Sequence, residues 1–408
     1  MTTSPAIKVV FVTDLFPEKM GYAVTRLPAA LARLPNVDVH VVTAGLTAPL
    51  QNHEVRSLLS TFTDASHEIG SVRLFEGVKV HQIGYAPGIG GGIRMTGLKE
   101  KLEELAPDIV QVFVHTGWSA IDAARFQRRL GYKLFTGNHS GKIVYTPAQS
   151  NLPPWSQTRI KEFLKRGLPG RFISSRTILC YGATADASEV AWRFFGVPKS
   201  KVKTTTLGVD TDLFHPADND AELAAARALR HALGVADDEL LCLYTGRLTE
   251  VKQGLVLAKA IAALRAEGHR YRAVFFGAGP EEESIRGIDG SVVHPFVPYK
   301  QLGDVYRAAD IAVWPAEITT STLDGAACGI PIVVNDQILA EERYEGNGLT
   351  YRLGDVDDLK RVLLRLKDPA LRKTLGDEGA RKMRTHFSWD ALAQERLDDY
   401  RAALRGPA

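Results

Sequence analysis

The strongest constraint in this sequence is a repeated alternation. Short runs rich in Val, Ile, Leu and Phe are separated by longer stretches of helical periodicity, and the pattern begins twice. Residues 7–13 (IKVVFVT), 37–43 (VDVHVVT), 108–115 (DIVQVFVH), 132–139 (YKLFTGNH), 176–182 (RTILCYG) and 202–208 (VKTTTLG) read as strands. Several are apolar without alternation, the pattern of a strand covered on both faces. Residues 22–34 and 98–107 read as helices, the first carrying Pro28 and the second placing Leu98, Leu102 and Leu105 on one side. Residues 71–84 (SVRLFEGVKVHQIG) read as a hairpin, and the polar segment 209–239 suits a linker carrying a short helix. The alternation then restarts, with strands 240–246 and 272–277, helices 255–266 and 281–287, and strand-forming runs in SVVHPFV, DIAVWP and PIVVND. Such alternation predicts parallel sheets wrapped by helices. The expected architecture is α/β, two tandem doubly wound domains over residues 1–208 and 209–385, followed by an amphipathic stretch, 386–408.

Ligands of doubly wound sheets bind beyond the carboxyl ends of the strands, so residues just after strands are the candidates. In GRLTEVKQG (246–254), Arg247 leaves a strand at once and Lys252 follows at a helix start. Two cations with helix-terminal N–H groups suit a diphosphate without a metal; a solvated loop has the same spacing. In FGAGPEEESIR (276–286), Gly277 and Gly279 allow a tight turn, Pro280 fits the first helical position and Glu281 to Glu283 its first turn. Plain structure explains that stretch, with glycine backbone left to line a site. In VWPAEITTSTLDGAACGIPIVVND (313–336), Thr319, Thr320, Ser321 and Thr322 suit a helix N-terminus and would offer O–H and N–H donors to an anion. Asp324 comes about one turn in, and Gly325, Ala326, Ala327 and Gly329 permit close packing. An over-capped helix with solvated Glu317 and Asp324 is the alternative. In the first half, Gly21 precedes a helix, Asn138, His139 and Ser140 follow one strand, and His115 and Trp118 end its neighbour. Histidines so placed are as readily satisfied polar residues as catalytic ones.

The net charge of +3 is too weak a bias to argue for nucleic acid. Cys180, Cys242 and Cys328 stand far apart in apolar or small-residue runs, with neither metal spacing nor a disulfide framework, and read as buried thiols of a reducing compartment. The N-terminus enters a strand without the layout of a signal peptide, and no apolar run approaches a membrane span. The expected setting is the cytoplasm. Residues 153–176 carry Trp155, Arg159, Lys161, Lys165, Arg166, Arg171 and Arg176, a basic amphipathic stretch able to lie on anionic lipid; an ordinary helix and loop is the alternative.

In order along nearly the whole chain, these pieces resemble the retaining, nucleotide-sugar-dependent glycosyltransferases of glycosyltransferase family 4, the glycosyl transferases group 1. The resemblance is carried by the Gly21 loop, the strand ending in His139, KVKTTTLGVDTDLFHP (201–216), YTGRLTEVKQG, FGAGPE, VYRAADIAVWP, ACGIPIVV and the tail FSWDALAQERLDDY. It implies the GT-B fold: two Rossmann-like domains facing across a cleft, the first binding acceptor and the second donor, with the last helix crossing back. The departure lies in 313–336. The family shows two glutamates eight apart; here Asp324 takes the second place, Ala316 lies eight before it, and Glu317 is one residue off.

The resemblance further implies transfer of a sugar from a nucleoside diphosphate sugar, UDP first and GDP next, to a carbohydrate, lipid-linked or small-molecule hydroxyl, with no metal and no cofactor beyond that co-substrate. Arg247, Lys252, His139 and Glu317 are the expected catalytic residues. Gly21, Gly277, Gly279, Thr319, Thr320, Ser321, Thr322 and Asp324 are the expected donor-binding ones, Asp324 holding the ribose. The acceptor is expected along the N-terminal domain, on His115, Trp118 and Asn138. A nucleotide-sugar epimerase of the same fold and a non-catalytic sugar-nucleotide-binding relative are the competing readings.

Overall fold

The computed structural model describes residues 6–18, 21–44, 68–88, 92–142, 145, 153, 155–316 and 319–406. The chain divides into two compact units, residues 1–207 with 392–408, and residues 208–391.

The first unit is built on a nine-stranded sheet. Its strands are β1 (Ile7–Thr13), β2 (Val37–Ala44), β3 (Val72–Phe75), β4 (Val78–Pro87), β5 (Ile93–Thr96), β6 (Ile109–Val112), β7 (Lys133–Asn138), β8 (Thr177–Gly182) and β9 (Val202–Thr204). The order is β3-β4-β2-β1-β6-β7-β8-β9, with β5 also on β4. All pairs are parallel except β3/β4 and β4/β5. Val9, Val10, Phe11 and Val12 of β1 are fully buried, as a strand covered on both faces requires. The expected hairpin forms at Glu76–Gly77, whose φ angles of 45° and 85° suit a two-residue turn that matches strand twist. Helices α1 (Ala23–Ala32), α2 (Leu98–Leu105), α3 (Trp118–Leu130), α4 (Gln157–Glu162), α5 (Leu168–Ser174) and α6 (Ala185–Phe194) belong to this unit. The leucines foreseen on α2 are its buried residues.

The second unit holds a six-stranded parallel sheet: β10 (Leu240–Thr245), β11 (Tyr271–Phe276), β12 (Ser291–His294), β13 (Ile311–Trp314), β14 (Ile332–Asn335) and β15 (Gly348–Tyr351). Its order, β12-β11-β10-β13-β14-β15, reverses direction between β10 and β13. Helices α7 (Asp220–Ala232), α8 (Gly254–Ala266), α9 (Glu282–Arg286), α10 (Leu302–Arg307), α11 (Ser321–Ala327), α12 (Val356–Arg365) and α13 (Pro369–Lys382) accompany it. The final helix, α14 (Trp389–Arg405), packs with the first unit from Leu392 onward. There Asp399 accepts from Lys203 Nζ at 2.7 Å and from the Tyr181 hydroxyl at 3.0 Å, and the Tyr400 hydroxyl donates to Gln111.

Four local expectations need correction. The strand expected over 108–115 ends at Val112, and that over 202–208 ends at Thr204. Helix α9 begins at Glu282, so Pro280 lies ahead of it rather than at its first position. Helix α11 begins at Ser321, leaving Thr319 and Thr320 in front. The three cysteines are free and buried, as read.

Candidate active site

In the second unit the chain leaves the sheet in opposite directions after β10 and β13, which lie side by side. That switch point is where doubly wound sheets bind ligands. The two stretches singled out for charge and hydroxyl content are the ones that leave it. After β10, Gly246 N–H donates to the Phe276 carbonyl at 3.0 Å and Leu248 N–H to that of Ala278 at 3.0 Å. Glu281 N–H donates back to Leu248 at 3.1 Å. The loops after β10 and β11 are thus laced together around buried Leu248. This explains both glycines of FGAGPE: a Cβ at Gly277 would lie 1.8 Å from the Gly246 carbonyl oxygen, and one at Gly279 2.2 Å from that of Leu248.

Arg247 rides on this laced segment. Its carbonyl accepts from the Tyr244 hydroxyl at 2.8 Å, and its side chain is exposed. Lys252 closes a 3-10 turn, Glu250–Lys252, and is half-buried. Gln253 follows with φ 54°, and α8 begins at Gly254. Burial and the nearby Glu250 raise the Glu281 carboxyl above its ordinary value.

After β13, three side chains fix the exit. The Trp314 indole N–H donates to the Thr245 carbonyl at 3.1 Å, tying β13 to β10. The Tyr351 hydroxyl and the Asn335 amide both donate to the Pro315 carbonyl, at 2.8 and 3.0 Å. Glu317 lies outside the described residues. The expected donor-rich helix tip is poorer than its sequence suggests. The buried Thr322 hydroxyl donates to the Thr319 carbonyl at 2.7 Å, so it is not presented to a ligand. The Ser321 hydroxyl is shared with the Tyr306 phenol, which also bonds Thr245 at 2.8 Å. Thr320 is exposed and makes no side-chain cap. The Thr319 hydroxyl is buried without a partner among the described residues.

Asp324 is buried. Burial, with Asp210 nearby, lifts its carboxyl well above the ordinary carboxylate range. A folded value above the unfolded one costs stability once pH exceeds the unfolded value of about 4, and costs nothing in acid, where both states are protonated. Asp324→Asn, always neutral, is therefore expected to raise the ligand-free Tm near pH 7, by roughly 2–4 °C for each kcal/mol of penalty removed. Near pH 3 the two proteins should unfold together. Calorimetry at both values checks this, and a lower Tm for the variant at neutral pH would contradict it.

In the first unit, β1 and β6 form the corresponding switch point. The Ser119 hydroxyl at the start of α3 donates to Asp14 at the end of β1, and half-buried Gly21 lies two residues ahead of α1. Two candidates are corrected. His115 is fully buried: Nδ1 lies 2.8 Å from the Thr136 hydroxyl, and Nε2 3.1 Å from both the Gly170 carbonyl and the Ser174 hydroxyl. Burial pushes its imidazole down to about 4. Asn138 is also spent internally. Its amide donates to the Ala187 and Ser140 carbonyls at 2.8 and 3.1 Å, and its oxygen accepts from Ser140 N–H at 3.1 Å. Neither side chain is presented to an acceptor.

His139 and Trp118 remain accessible. Protein packed around the His139 ring, with Arg396 nearby, holds its imidazole at about 4, while part of the residue stays open to solvent. Arg396, which nothing in the local sequence singled out, reaches in from α14 and stacks on Tyr181. Trp118 lines a recess of about 560 Å³ with Arg94, Asp122 and Phe126. Arg94 lies over its ring at 5.2 Å and holds Asp122 with two hydrogen bonds of 2.7 and 2.8 Å.

Comparison with known proteins matches this arrangement. Residues 239–368 match the family described as glycosyl transferases group 1. The D-inositol 3-phosphate glycosyltransferase of Saccharomonospora viridis is 29% identical over 93% of this chain and 84% of its own length. That of Xylanimonas cellulosilytica is 31% identical, over 55% of this chain and 57% of its own length. The HepE protein of Anabaena, solved in complex with UDP, superposes with a TM-score of 0.67 at 14% identity, covering 97% of this chain and all of its own. The chain has the GT-B fold, and its second unit carries the match to the glycosyl transferases group 1. The matched segment runs from the start of β10 past α12, so it contains the whole β10/β13 switch point. Asn335, Tyr351 and Trp314, which hold the exit of β13, fall inside it. They escaped the sequence reading because each acts through a backbone carbonyl far away in the chain.

Proposed function

We propose that this protein is a glycosyltransferase that moves a sugar from a nucleoside diphosphate sugar to an acceptor hydroxyl, with retention at the anomeric carbon. The observation that carries the proposal is the lacing of 246–248 to 276–281, which holds Arg247 at the β10/β13 switch point. Departure of a charged diphosphate from an oxocarbenium-like centre is the costly step, and preorganised positive charge at the leaving group lowers it most. Arg247 and Lys252 supply that charge without a metal. Gly277 and Gly279 let backbone approach the donor. Thr319 and Thr320, with the start of α11, offer further donors, and Asp324 accepts from the ribose. Glu317, His139 and Gly21 take the donor-binding roles that the resemblance implies. His139, neutral at pH 7, does so without adding charge.

The acceptor binds the first unit in the recess of Trp118, where an aromatic face and the Arg94–Asp122 pair suit a polyhydroxylated, sugar-like molecule. A lipid-linked acceptor would add peripheral membrane contact through 153–176. A UDP-sugar is the favoured donor, since HepE was solved with UDP, and a GDP-sugar is next. Thermal-shift measurements with UDP, GDP and their glucose and mannose conjugates test this. The preferred nucleotide should stabilise by about 2.7 kcal/mol at a hundredfold excess over Kd, and its sugar conjugate should slowly release nucleoside diphosphate. A changed sugar without such release would indicate an epimerase. Stabilisation with neither reaction would indicate a binding protein. No response to any nucleotide would overturn the proposal.

A further inference from the structure

The helical stretch of α4 and α5 turns apolar side chains outward. Ile160, Leu164, Leu168 and Phe172 recur every four residues, and all are exposed, Leu164 by 58% and Leu168 by 53%. Phe163 is exposed beside them, and Trp155, just ahead of α4, is 77% exposed. A four-residue step drifts by about 40° around an α-helix. Between α4 and α5, however, the backbone makes a π turn, Phe163–Gly167, and its wider winding takes the drift back, so the outward residues stay in one ridge. π turns of this kind recur at functional sites. The inner side is already seated. A Cβ at Gly170 would lie 1.9 Å from the Phe195 carbonyl oxygen, and one at Gly167 3.2 Å from that of Phe194. Ile173 is fully buried. The outer ridge is therefore surplus to the core.

Its charge is one-sided. Residues 155–176 hold Arg159, Lys161, Lys165, Arg166, Arg171 and Arg176 against a single acid, Glu162. Glu162 is taken up by Arg166 at 3.4 Å and the Tyr145 hydroxyl at 3.2 Å. Arg171 stacks on Phe163 at 5.1 Å. Lys161 and Lys165 are exposed and have no carboxylate partner among the described residues. Among the described residues no helix is long and apolar enough to cross a membrane.

We propose that this ridge docks on an anionic bilayer. Ile160, Leu164, Leu168 and Phe172 enter the headgroup boundary while Lys161 and Lys165 meet the anionic headgroups. A bilayer surface supplies both an extended negative field and an apolar layer beneath it, which is what an apolar ridge flanked by unpaired lysines fits. This deepens the membrane contact of the proposed function but does not use its donor chemistry, so nucleotide binding and vesicle binding fail separately.

The test is sedimentation of the full chain with phosphatidylcholine vesicles, with and without phosphatidylglycerol. The wild type is expected to sediment with the phosphatidylglycerol vesicles and to be partly released by salt. Lys161→Ala with Lys165→Ala should weaken binding about thirtyfold, at about 1 kcal/mol per lysine near the surface. Leu164→Glu with Leu168→Glu should abolish it at every salt concentration. Both changes lie at the exposed surface, so Tm and the nucleotide-induced thermal shift should persist, which separates lost docking from lost folding. Failure of the wild type to bind anionic vesicles, or equal binding by the leucine variant, would overturn the proposal. So would a wild-type dimer, seen by sedimentation equilibrium, that the leucine variant dissociates while vesicle binding is absent.

Discussion

Arg247→Ala and Lys252→Ala are each expected to lower kcat/KM for sugar transfer by about two to three orders of magnitude, the loss typical when one preorganised donor is removed from developing negative charge. Donor departure concentrates charge on the diphosphate oxygens, so both cations matter more in the transition state than in the ground state. The loss should therefore fall largely on kcat, with a smaller rise in KM. Stability should hardly change for Arg247→Ala. The side chain is exposed, and the Tyr244 bond that fixes the segment is made to the backbone carbonyl, which alanine retains. Arg247→Lys should recover part of the activity, since it restores charge without the planar fork of guanidinium donors. The double alanine variant should lose less than the product of the single losses, because the two groups act on one leaving group. Steady-state release of nucleoside diphosphate, with Tm measured alongside, checks all four proteins. Near wild-type turnover in either single variant, with the fold intact, would contradict the role assigned to it.

Much of the fold was legible because buried parallel strands need continuous apolar runs. IKVVFVT could hardly be anything but a covered strand, and Glu76-Gly77 between two β-branched runs marks its own turn. The edge strand β5 was not legible. Its four residues, IRMT, are too few to show a period, and it exists by pairing with the far end of β4. Helix α3 was missed because WSAIDAARFQRRL buries small residues, Ser119, Ala120, Ala123 and Ala124, where an apolar stripe was sought. At the site, position was legible and availability was not. The sequence places Asn138 at the end of a strand, which is correct, and puts His115 at the end of its neighbour, which stops three residues earlier, at Val112. It cannot show that Thr136, Gly170, Ser174 and Ala187, all distant in the chain, consume their polar atoms. The hydroxyl run before Asp324 is similar. Propensity marks a helix start there, but the fate of each hydroxyl depends on Tyr306 and on which carbonyl lies within reach.

Gly277→Ala is expected to do more harm to stability than any other single-methyl change near the site. The added Cβ would lie 1.8 Å from the Gly246 carbonyl oxygen and 3.0 Å from its carbon. Both are backbone atoms of the segment leaving β10, so no rotamer change relieves the clash. The Gly277 N–H is meanwhile held by the His294 carbonyl at 2.9 Å, which keeps the glycine from withdrawing. One of the two laced loops must move, and overpacking of this kind costs about 1–3 kcal/mol or somewhat more. That lowers Tm by roughly 2–4 °C per kcal/mol in a unit of this size. Because Gly246 precedes Arg247, the displaced loop carries the cation with it, and a misplacement of about 1 Å suffices to cost on the order of a hundredfold in rate. Gly277→Ala should therefore lose nucleotide-induced stabilisation and transfer together. The matched control is Gly287→Ala, at the end of α9, where a Cβ would meet nothing closer than 3.6 Å. That protein should stay within about 0.5 kcal/mol of wild type and keep full activity. If Gly277→Ala unfolds at the wild-type temperature and turns over normally, the loops after β10 and β11 do not approach as closely as the glycine requires, and the placement of Arg247 at the switch point falls with them.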